Sequence, residues 1–223
     1  MSKKKGSHSA DFDLDGKLKK AALLHGSGRL SEAEDVYRKI LDIVPDHPDI
    51  LNLLGFALFQ KGEYDAAAGF IQKAIRINPS NPLYHINLGN SLSNLNKRNE
   101  AACAFRQALS IQPDHAEALN NLGNVYYVQG RTDEAVSCYK RAIELNPDNP
   151  GACSNLGDAL RKLGRPDEAV CCYQNAIAAN PNSPDVYVKL GNTFADKGDH
   201  EDAVLSYKNA IALKPDYPDA HNN

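Results

Sequence analysis

The side chains most able to do chemistry in this sequence form two series of polar residues that recur at one spacing. The first series consists of residues 34 positions apart, namely Asn87, Asn121, Asn155 and Lys189. The second series lies three residues further along the chain, at Asn90, Asn124, Asp158 and Asn192. Because a primary amide both donates and accepts hydrogen bonds, these rows could hold the backbone of an extended peptide without contacting its side chains.

Two other interpretations of the amide rows stay open. Residues three apart lie on one face of a helix, so the two rows lie side by side on the same face of each repeat. The asparagines could therefore bond to one another across neighbouring repeats instead. Plain copying of one unit by duplication would also produce the rows. An asparagine in a helix interior costs up to about 0.7 kcal/mol relative to alanine, and all three interpretations of its repeated use stay open.

No other arrangement of residues predicts catalysis or metal binding. The cysteines are odd in number and form no CxxC pair: Cys103, Cys138, Cys153, Cys171 and Cys172. We expect all five to be buried or half-buried apolar residues. The phosphate-binding, nucleophile-elbow and zinc-protease motifs do not occur in the sequence. We therefore expect no catalytic site, no metal site and no cofactor.

Composition narrows the classes of partner. The chain of 223 residues has 25 Lys and Arg against 28 Asp and Glu, a formal net charge of −3, so a nucleic-acid partner is not expected. Its longest charge-free apolar stretch, 50–60, is far shorter than the roughly 20 residues that cross a bilayer. The cysteine pattern lacks a disulfide framework and favours a cytoplasmic address. Residues 1–13 are predicted to be a flexible tail.

The same 34-residue period appears in residues that shape the backbone. One series of prolines keeps it without exception: Pro45, Pro79, Pro113, Pro147, Pro181 and Pro215. One series of alanines does the same: Ala33, Ala67, Ala101, Ala135, Ala169 and Ala203. A period of this length is typical of repeat proteins built from one supersecondary unit.

Each unit has the pattern of two helices. In 116–149 the apolar spacing predicts helices over 117–129 and 135–145. Gly130 suits the left-handed residue that ends a helix, and 131–133 should contain a capping group. Asn149 is expected to cap the next helix, with a proline at its first position. Small residues at the crossing of the two helices should let them approach closely.

These residues resemble the tetratricopeptide repeat, whose pattern combines L-G-x2-Y, A-x3-F and P. In one unit the matching residues are Leu122-Gly123-x2-Tyr126, Ala135-x3-Tyr139 and Pro147. The resemblance implies an all-α, right-handed superhelix (α-solenoid) of antiparallel helix pairs. It divides 14–217 into six units: 14–47, 48–81, 82–115, 116–149, 150–183 and 184–217. It also implies that both polar rows line the concave groove.

The ends of the array carry their own expectations. Lys17 and Lys20 replace apolar residues, so the first helix should have a polar outer face and act as an end cap. Residues 218–223 continue the phase and are predicted to begin a truncated seventh unit. An uncapped end would expose Tyr207, Ile211 and Leu213, which gives a route to self-association.

A narrower resemblance gives an alternative function. Residues 25–41, H-x-S-G-R-L-x-E-A-E-x-x-Y-R-x-I-L, look like the repeat arm of bacterial O-linked N-acetylglucosaminyltransferase and SPINDLY-like proteins. In that family the repeats present protein substrates to a catalytic domain, which this sequence does not contain.

The tetratricopeptide resemblance implies a scaffold or adaptor that binds a protein or peptide segment in its groove. Phe56 and Phe59 should make the first part of that groove apolar. Further along, a small basic spot of Arg161, Lys162 and Lys189 lies near acidic residues. A solvated surface of mixed charge and a point of ligand specificity are both open there.

Overall fold

The computed structural model describes residues 14–216 and Pro218, and within these residues every regular element is an α-helix. The all-α fold expected from the sequence is therefore confirmed. Three parts of the chain lie outside the described residues: the predicted tail at 1–13, Tyr217 at the end of the sixth unit, and 219–223 of the predicted seventh unit.

The described residues form twelve helices that alternate between two roles. The first helix of each pair is α1 (Leu14–Gly26), α3 (Pro48–Gln60), α5 (Pro82–Asn94), α7 (Ala116–Val128), α9 (Pro150–Lys162) or α11 (Pro184–Lys197). The second is α2 (Leu30–Leu41), α4 (Tyr64–Ile77), α6 (Arg98–Ile111), α8 (Thr132–Leu145), α10 (Pro166–Ala179) or α12 (His200–Leu213).

The chain divides into two compact units, 1–96 and 97–223. In the first unit α2 packs on α1 and α3, while α5 packs on α4 and α3. In the second unit each helix from α6 to α12 packs on the next, and α9 also contacts α7 and α11. Helices thus contact neighbours that are close in sequence, as expected for stacked pairs.

The turn inside each helix pair depends on one residue with a left-handed backbone. Gly130 has φ +79°, and the Arg131 N–H donates to the Tyr126 carbonyl at 2.9 Å, which closes α7. Asn96 takes the place of this glycine in another turn, with φ 61°. Asparagine tolerates that conformation better than most residues, so its substitution for glycine preserves the turn.

The predicted caps are only partly confirmed. Asn149 Oδ1 accepts a hydrogen bond from the Ala152 N–H at 3.1 Å and caps α9. The capping group expected in 131–133 was wrong, because α8 begins at Thr132 and no side chain caps it. The residue between Gly130 and α8 is Arg131, whose guanidinium has no hydrogen-bond acceptor and so cannot cap the N–H groups of the helix. Instead the Arg131 guanidinium bonds Glu134 in the first turn, with an Nε–Oε1 distance of 2.9 Å.

The two helices of a pair cross at a glycine. A Cβ atom added to Gly123 would lie 2.6 Å from Tyr139 Cε1, so the ring lies directly against the glycine backbone. The same relation joins Gly157 to Tyr173, Gly191 to Tyr207 and Gly55 to Ile71. Ala135 is completely buried nearby. The close approach predicted from the small residues is therefore confirmed.

The end of the array is less exposed than the sequence suggested. Tyr207 was expected to lie exposed, but it is 7% exposed because its ring packs on Gly191. Ile211 is half-buried, and Leu213 is 41% exposed. Of the three residues expected to be exposed, only Leu213 and part of Ile211 are so.

The cysteines also differ from expectation in their burial. All five are free thiols, but Cys103 and Cys171 are exposed. Both lie on second helices, two positions before the buried rings of Phe105 and Tyr173, and so on the opposite side of the helix. Cys138 and Cys172 are half-buried and Cys153 is buried, as predicted.

Gly123→Ala should lower the free energy of unfolding by about 1–3 kcal/mol, since its methyl group would overlap the Tyr139 ring. Gly69→Ala is the matched control, because Gly69 lies within α4 with no atom near its added Cβ. That substitution should raise stability by about 0.5–1 kcal/mol. Denaturant unfolding measures both changes, and an equal response of the two variants would contradict this packing.

Candidate functional site

The predicted binding residues all lie on first helices. Within the second unit α7, α9 and α11 contact one another in sequence, and we call this surface the first-helix wall. It carries six of the predicted residues: Asn121, Asn124, Asn155, Asp158, Lys189 and Asn192. The other two, Asn87 and Asn90, lie on α5 of the first unit. The fold therefore brings six of the eight onto one surface.

A hydrogen-bond network joins two repeats of the first-helix wall through Asn124. The Tyr139 hydroxyl donates to Asn124 Oδ1 at 2.8 Å, and Asn155 Nδ2 donates to the same oxygen at 2.9 Å. Asn155 Nδ2 also donates to Asn120 Oδ1 at 3.1 Å. Burial raises the pKa of Tyr139 well above its ordinary value, so the phenol remains a donor at neutral pH.

The next two repeats have the same geometry with charges in place of amides. The Tyr173 hydroxyl donates to Asp158 Oδ1 at 2.8 Å. Lys189 Nζ donates to Asp158 Oδ2 at 2.6 Å and to Ser154 Oγ at 3.1 Å. Each link thus consists of a tyrosine, a polar residue on the first helix, and a donor from the following repeat. Tyr207, whose hydroxyl donates to Asn192 Oδ1 at 2.7 Å, begins a third link.

The network leaves one donor and one acceptor open on the first-helix wall. Asn124 Oδ1 accepts two hydrogen bonds, and Asn155 Nδ2 donates both of its hydrogens. Within the described chain, Asn124 Nδ2 donates no hydrogen bond and Asn155 Oδ1 accepts none. An amide has four hydrogen-bonding positions, so bonding between repeats and contact with a ligand are compatible. The use of these residues as peptide contacts stays a prediction.

The amide pair of the first unit is more deeply placed. Asn87 Nδ2 donates to Asn52 Oδ1 at 3.0 Å, and the two residues are 8% and 4% exposed. A buried amide pair of this kind satisfies polar groups between α3 and α5. Asn87 therefore has little surface for a ligand, in contrast to the half-buried Asn124 and Asn155.

Sequence reasoning missed the tyrosines that support the first-helix wall. A signal was present, because Tyr139, Tyr173 and Tyr207 each stand 15 residues after a polar residue that accepts their hydroxyl hydrogen bond. Where the second-helix position is the apolar Ile71, the residue 15 positions earlier is Phe56. The hydroxyl and its acceptor occur together in the three repeats with Tyr139, Tyr173 and Tyr207, but Phe105 follows Asn90 and Tyr37 follows Ala22 at the same spacing.

An apolar pocket lies in the first unit, between α1, α2 and α3. Its volume is about 550 Å³, and its lining includes Leu18, His25, Tyr37, Leu53 and Phe56. The His25 ring stacks on Phe56 at a centroid distance of 5.4 Å, and its Nε2 lies 2.8 Å from Gln60 Oε1. The apolar character expected near Phe56 is present at this pocket.

A charged pocket lies on the first-helix wall of the second unit. Its volume is about 370 Å³, and its lining residues are Tyr127, Asp158, Arg161, Lys162 and Asp196. We call it the Lys162 pocket. Arg161 Nε lies 2.9 Å from Asp196 Oδ2, and Lys162 Nζ lies 4.6 Å from the centre of the Tyr127 ring. The basic spot predicted near acidic residues is therefore a concave site in which some of the charges pair.

Two kinds of feature are absent from the described residues: a metal-binding cluster and a helix that could cross a membrane. Residues 14–216 and Pro218 contain no cluster of three or more His, Cys, Asp or Glu side chains suited to a metal ion. In the same part of the chain, no helix combines the length and apolar character that crossing a membrane requires.

Family models cover most of the chain. Tetratricopeptide repeat models match 24–88, 116–149 and 138–170, and a TPR repeat model matches 94–130, 157–198 and 191–223. The chain belongs to the tetratricopeptide repeat family. The helix pairs and the glycine–aromatic crossings described above are those of this repeat.

Solved structures with the same tetratricopeptide fold include three of similar size. YrrB is 24% identical with a TM-score of 0.69, over 83% of this chain and 96% of YrrB. The pilF protein of Pseudomonas aeruginosa is 18% identical with a TM-score of 0.82, over 93% of this chain and 95% of pilF. A thermophilic TPR protein of Thermus thermophilus is 23% identical with a TM-score of 0.62, over 79% of this chain and 96% of the Thermus chain. No curated protein matches the sequence.

Tyr139→Phe should lower the free energy of unfolding by about 0.5–1.5 kcal/mol, because it removes the hydroxyl that donates to Asn124. Tyr187→Phe is the matched control in the same unit, since its half-buried hydroxyl makes no hydrogen bond within the described chain. Thermal and denaturant unfolding compare the two variants. Equal stability of Tyr139→Phe and the wild type would show that the link contributes nothing.

Proposed function

We propose that this tetratricopeptide protein is a scaffold or adaptor that holds an extended segment of a partner protein along the first-helix wall. Asn124 and Asn155 contact the peptide backbone, and the other predicted residues on α7, α9 and α11 flank them. The protein partner is bound without a cofactor or metal, and the chain itself performs no reaction.

The observation that carries this proposal is the pair of open hydrogen-bonding atoms on the wall. Asn124 Nδ2 is a donor and Asn155 Oδ1 is an acceptor, and the internal hydrogen bonds of the two residues fix both amides in place. A peptide unit offers one C=O and one N–H, which complement this donor and acceptor. Because the amides are already oriented, binding would cost little side-chain entropy.

A structural neighbour supports the proposal. YrrB, which has the same fold, is a TPR protein with an unusual peptide-binding site. Free thiols at all five cysteines also fit the cytoplasmic address that the sequence favours, and we include that address in the proposal.

The alternative, an arm that recruits substrates for an O-linked N-acetylglucosaminyltransferase, rests on residues 25–41 and on the Asn-Asn-Leu-Gly-Asn sequence of later units, as at 120–124. Both functions place a peptide in the groove, so they differ only in what the full protein carries besides the repeats. Assay of the full-length protein for sugar transfer to a bound peptide distinguishes them. Self-association through Leu213 is a separate hypothesis, which sedimentation at increasing concentration tests.

Binding to an array of random synthetic peptides tests the adaptor function, followed by affinity measurements on the strongest peptides. The double variant Asn124→Ala/Asn155→Ala should weaken binding by about fivefold or more, as expected for two hydrogen bonds of about 0.5–1.5 kcal/mol each. Fluorescence anisotropy measures the affinity, and circular dichroism checks that the helices remain.

Asn175→Ala is the matched control, because Asn175 is exposed on the second helix α10 and makes no hydrogen bond within the described residues. It should bind each peptide like the wild type. Undiminished affinity of the double variant, with its helicity intact, would refute the role of the two wall amides. Failure of every peptide to bind the wild type would refute the adaptor proposal itself.

A further inference from the structure

The Lys162 pocket has a charge pattern that backbone binding does not explain. It is formed by three consecutive first helices, with Tyr127 from α7, Lys162 from α9 and Asp196 from α11. The open amide atoms of Asn124 and Asn155 lie on α7 and α9 of the same wall. A peptide held by these amides would therefore run past the pocket and could place a side chain in it.

Both carboxylates of the pocket already have cationic partners. Asp158 accepts a hydrogen bond from Lys189 Nζ at 2.6 Å and another from the Tyr173 hydroxyl at 2.8 Å. Asp196 pairs with Arg161 at 2.9 Å. A cationic side chain of a ligand would have to compete with these pairs, so the acidic residues give the pocket little attraction for a cation.

Lys162 differs from the other cations of the pocket. Within the described residues it forms no ion pair, and its ammonium lies over the face of the Tyr127 ring at 4.6 Å. The ring holds the ammonium by a cation–π interaction but satisfies none of its three N–H donors with an oxygen. The side chain is thus placed by its neighbour and left able to donate to an anion.

The sum of the charges at the pocket also leaves Lys162 as the cation able to bind an anion. The lining itself has two carboxylates, Asp158 and Asp196, and two cations, Arg161 and Lys162. Lys189, which is not part of the lining, pairs with Asp158, so one positive charge is left at Lys162. Burial, together with the nearby Asp158, raises the pKa of Tyr127, so the phenol adds no negative charge at neutral pH. One uncompensated charge suits a single carboxylate and is too little for a polyanion such as nucleic acid.

We propose that the Lys162 pocket binds an acidic side chain, glutamate or aspartate, of the extended peptide, with Lys162 as its direct partner. This inference rests on the proposed peptide-binding function and adds a sequence preference to it. A side chain is favoured over a free C-terminal carboxylate because the pocket spans the same helices that carry the open amides, so the bound chain runs beside the pocket and does not end in it.

An array of random peptides with acetylated and amidated ends tests the inference, because such peptides have no terminal carboxylate. The strongest binders should share an acidic residue at one position. Replacing that residue with glutamine should weaken binding by about three- to fivefold, the range expected for a partly exposed ion pair. The preference should decrease at high salt, since added ions screen the pair.

The assignment to Lys162 is tested by combining the protein and peptide changes. Lys162→Gln should bind the Glu and Gln peptides equally. Lys208→Gln is the control with the same change in net charge, because Lys208 is exposed on α12 and forms no ion pair within the described chain. It should keep the full preference for glutamate.

Three results would overturn the inference, namely no acidic position among the binders, an unchanged preference in Lys162→Gln, or binding only of peptides with a free C-terminal carboxylate. Binding that depends on Asn124 and Asn155 but lacks an acidic preference would refute this inference alone. Failure of every peptide to bind would refute both this inference and the proposed function.

Discussion

The close contact between a glycine of the first helix and an aromatic ring of the second determines much of this structure. At Gly123 the backbone of α7 lies against the ring of Tyr139, because no Cβ holds the two helices apart. This contact buries the Tyr139 ring between the two helices of the pair. It also places the Tyr139 hydroxyl 2.8 Å from Asn124 Oδ1 on the first-helix wall. One packing constraint thus serves both burial and the orientation of a surface side chain.

The links on the wall show how this fold combines rigidity with an accessible surface. An amide that is bonded on one side to a buried tyrosine and on the other to the following repeat has little freedom left. Its amide nitrogen nevertheless has no hydrogen-bond partner within the described chain, as at Asn124. Polar groups held in this way lose little entropy when they bind a ligand, which suits recognition of a flexible segment.

The helix pairs, the left-handed turn at Gly130 and the cap at Asn149 could be predicted because each follows from local residue types repeated at a fixed period. The cap expected in 131–133 failed, since the residue that precedes α8 is Arg131, whose side chain has no acceptor for a capping hydrogen bond. The exposure of Cys103 was not predicted, because the general tendency of cysteine to be buried does not show which side of the helix the residue faces. The tyrosine links were missed because they require a ring and a polar residue from different helices.

The repeats also differ in what they offer at equivalent places. Between α7 and α9 the link is a pair of neutral amides, while between α9 and α11 it is an aspartate with a lysine. Both versions keep the tyrosine and its 2.8 Å hydrogen bond, so the same helix pairing accommodates either set of polar residues. A lineage of such proteins could therefore alter its ligand preference one repeat at a time, by point substitutions that the scaffold tolerates, long before any change in architecture.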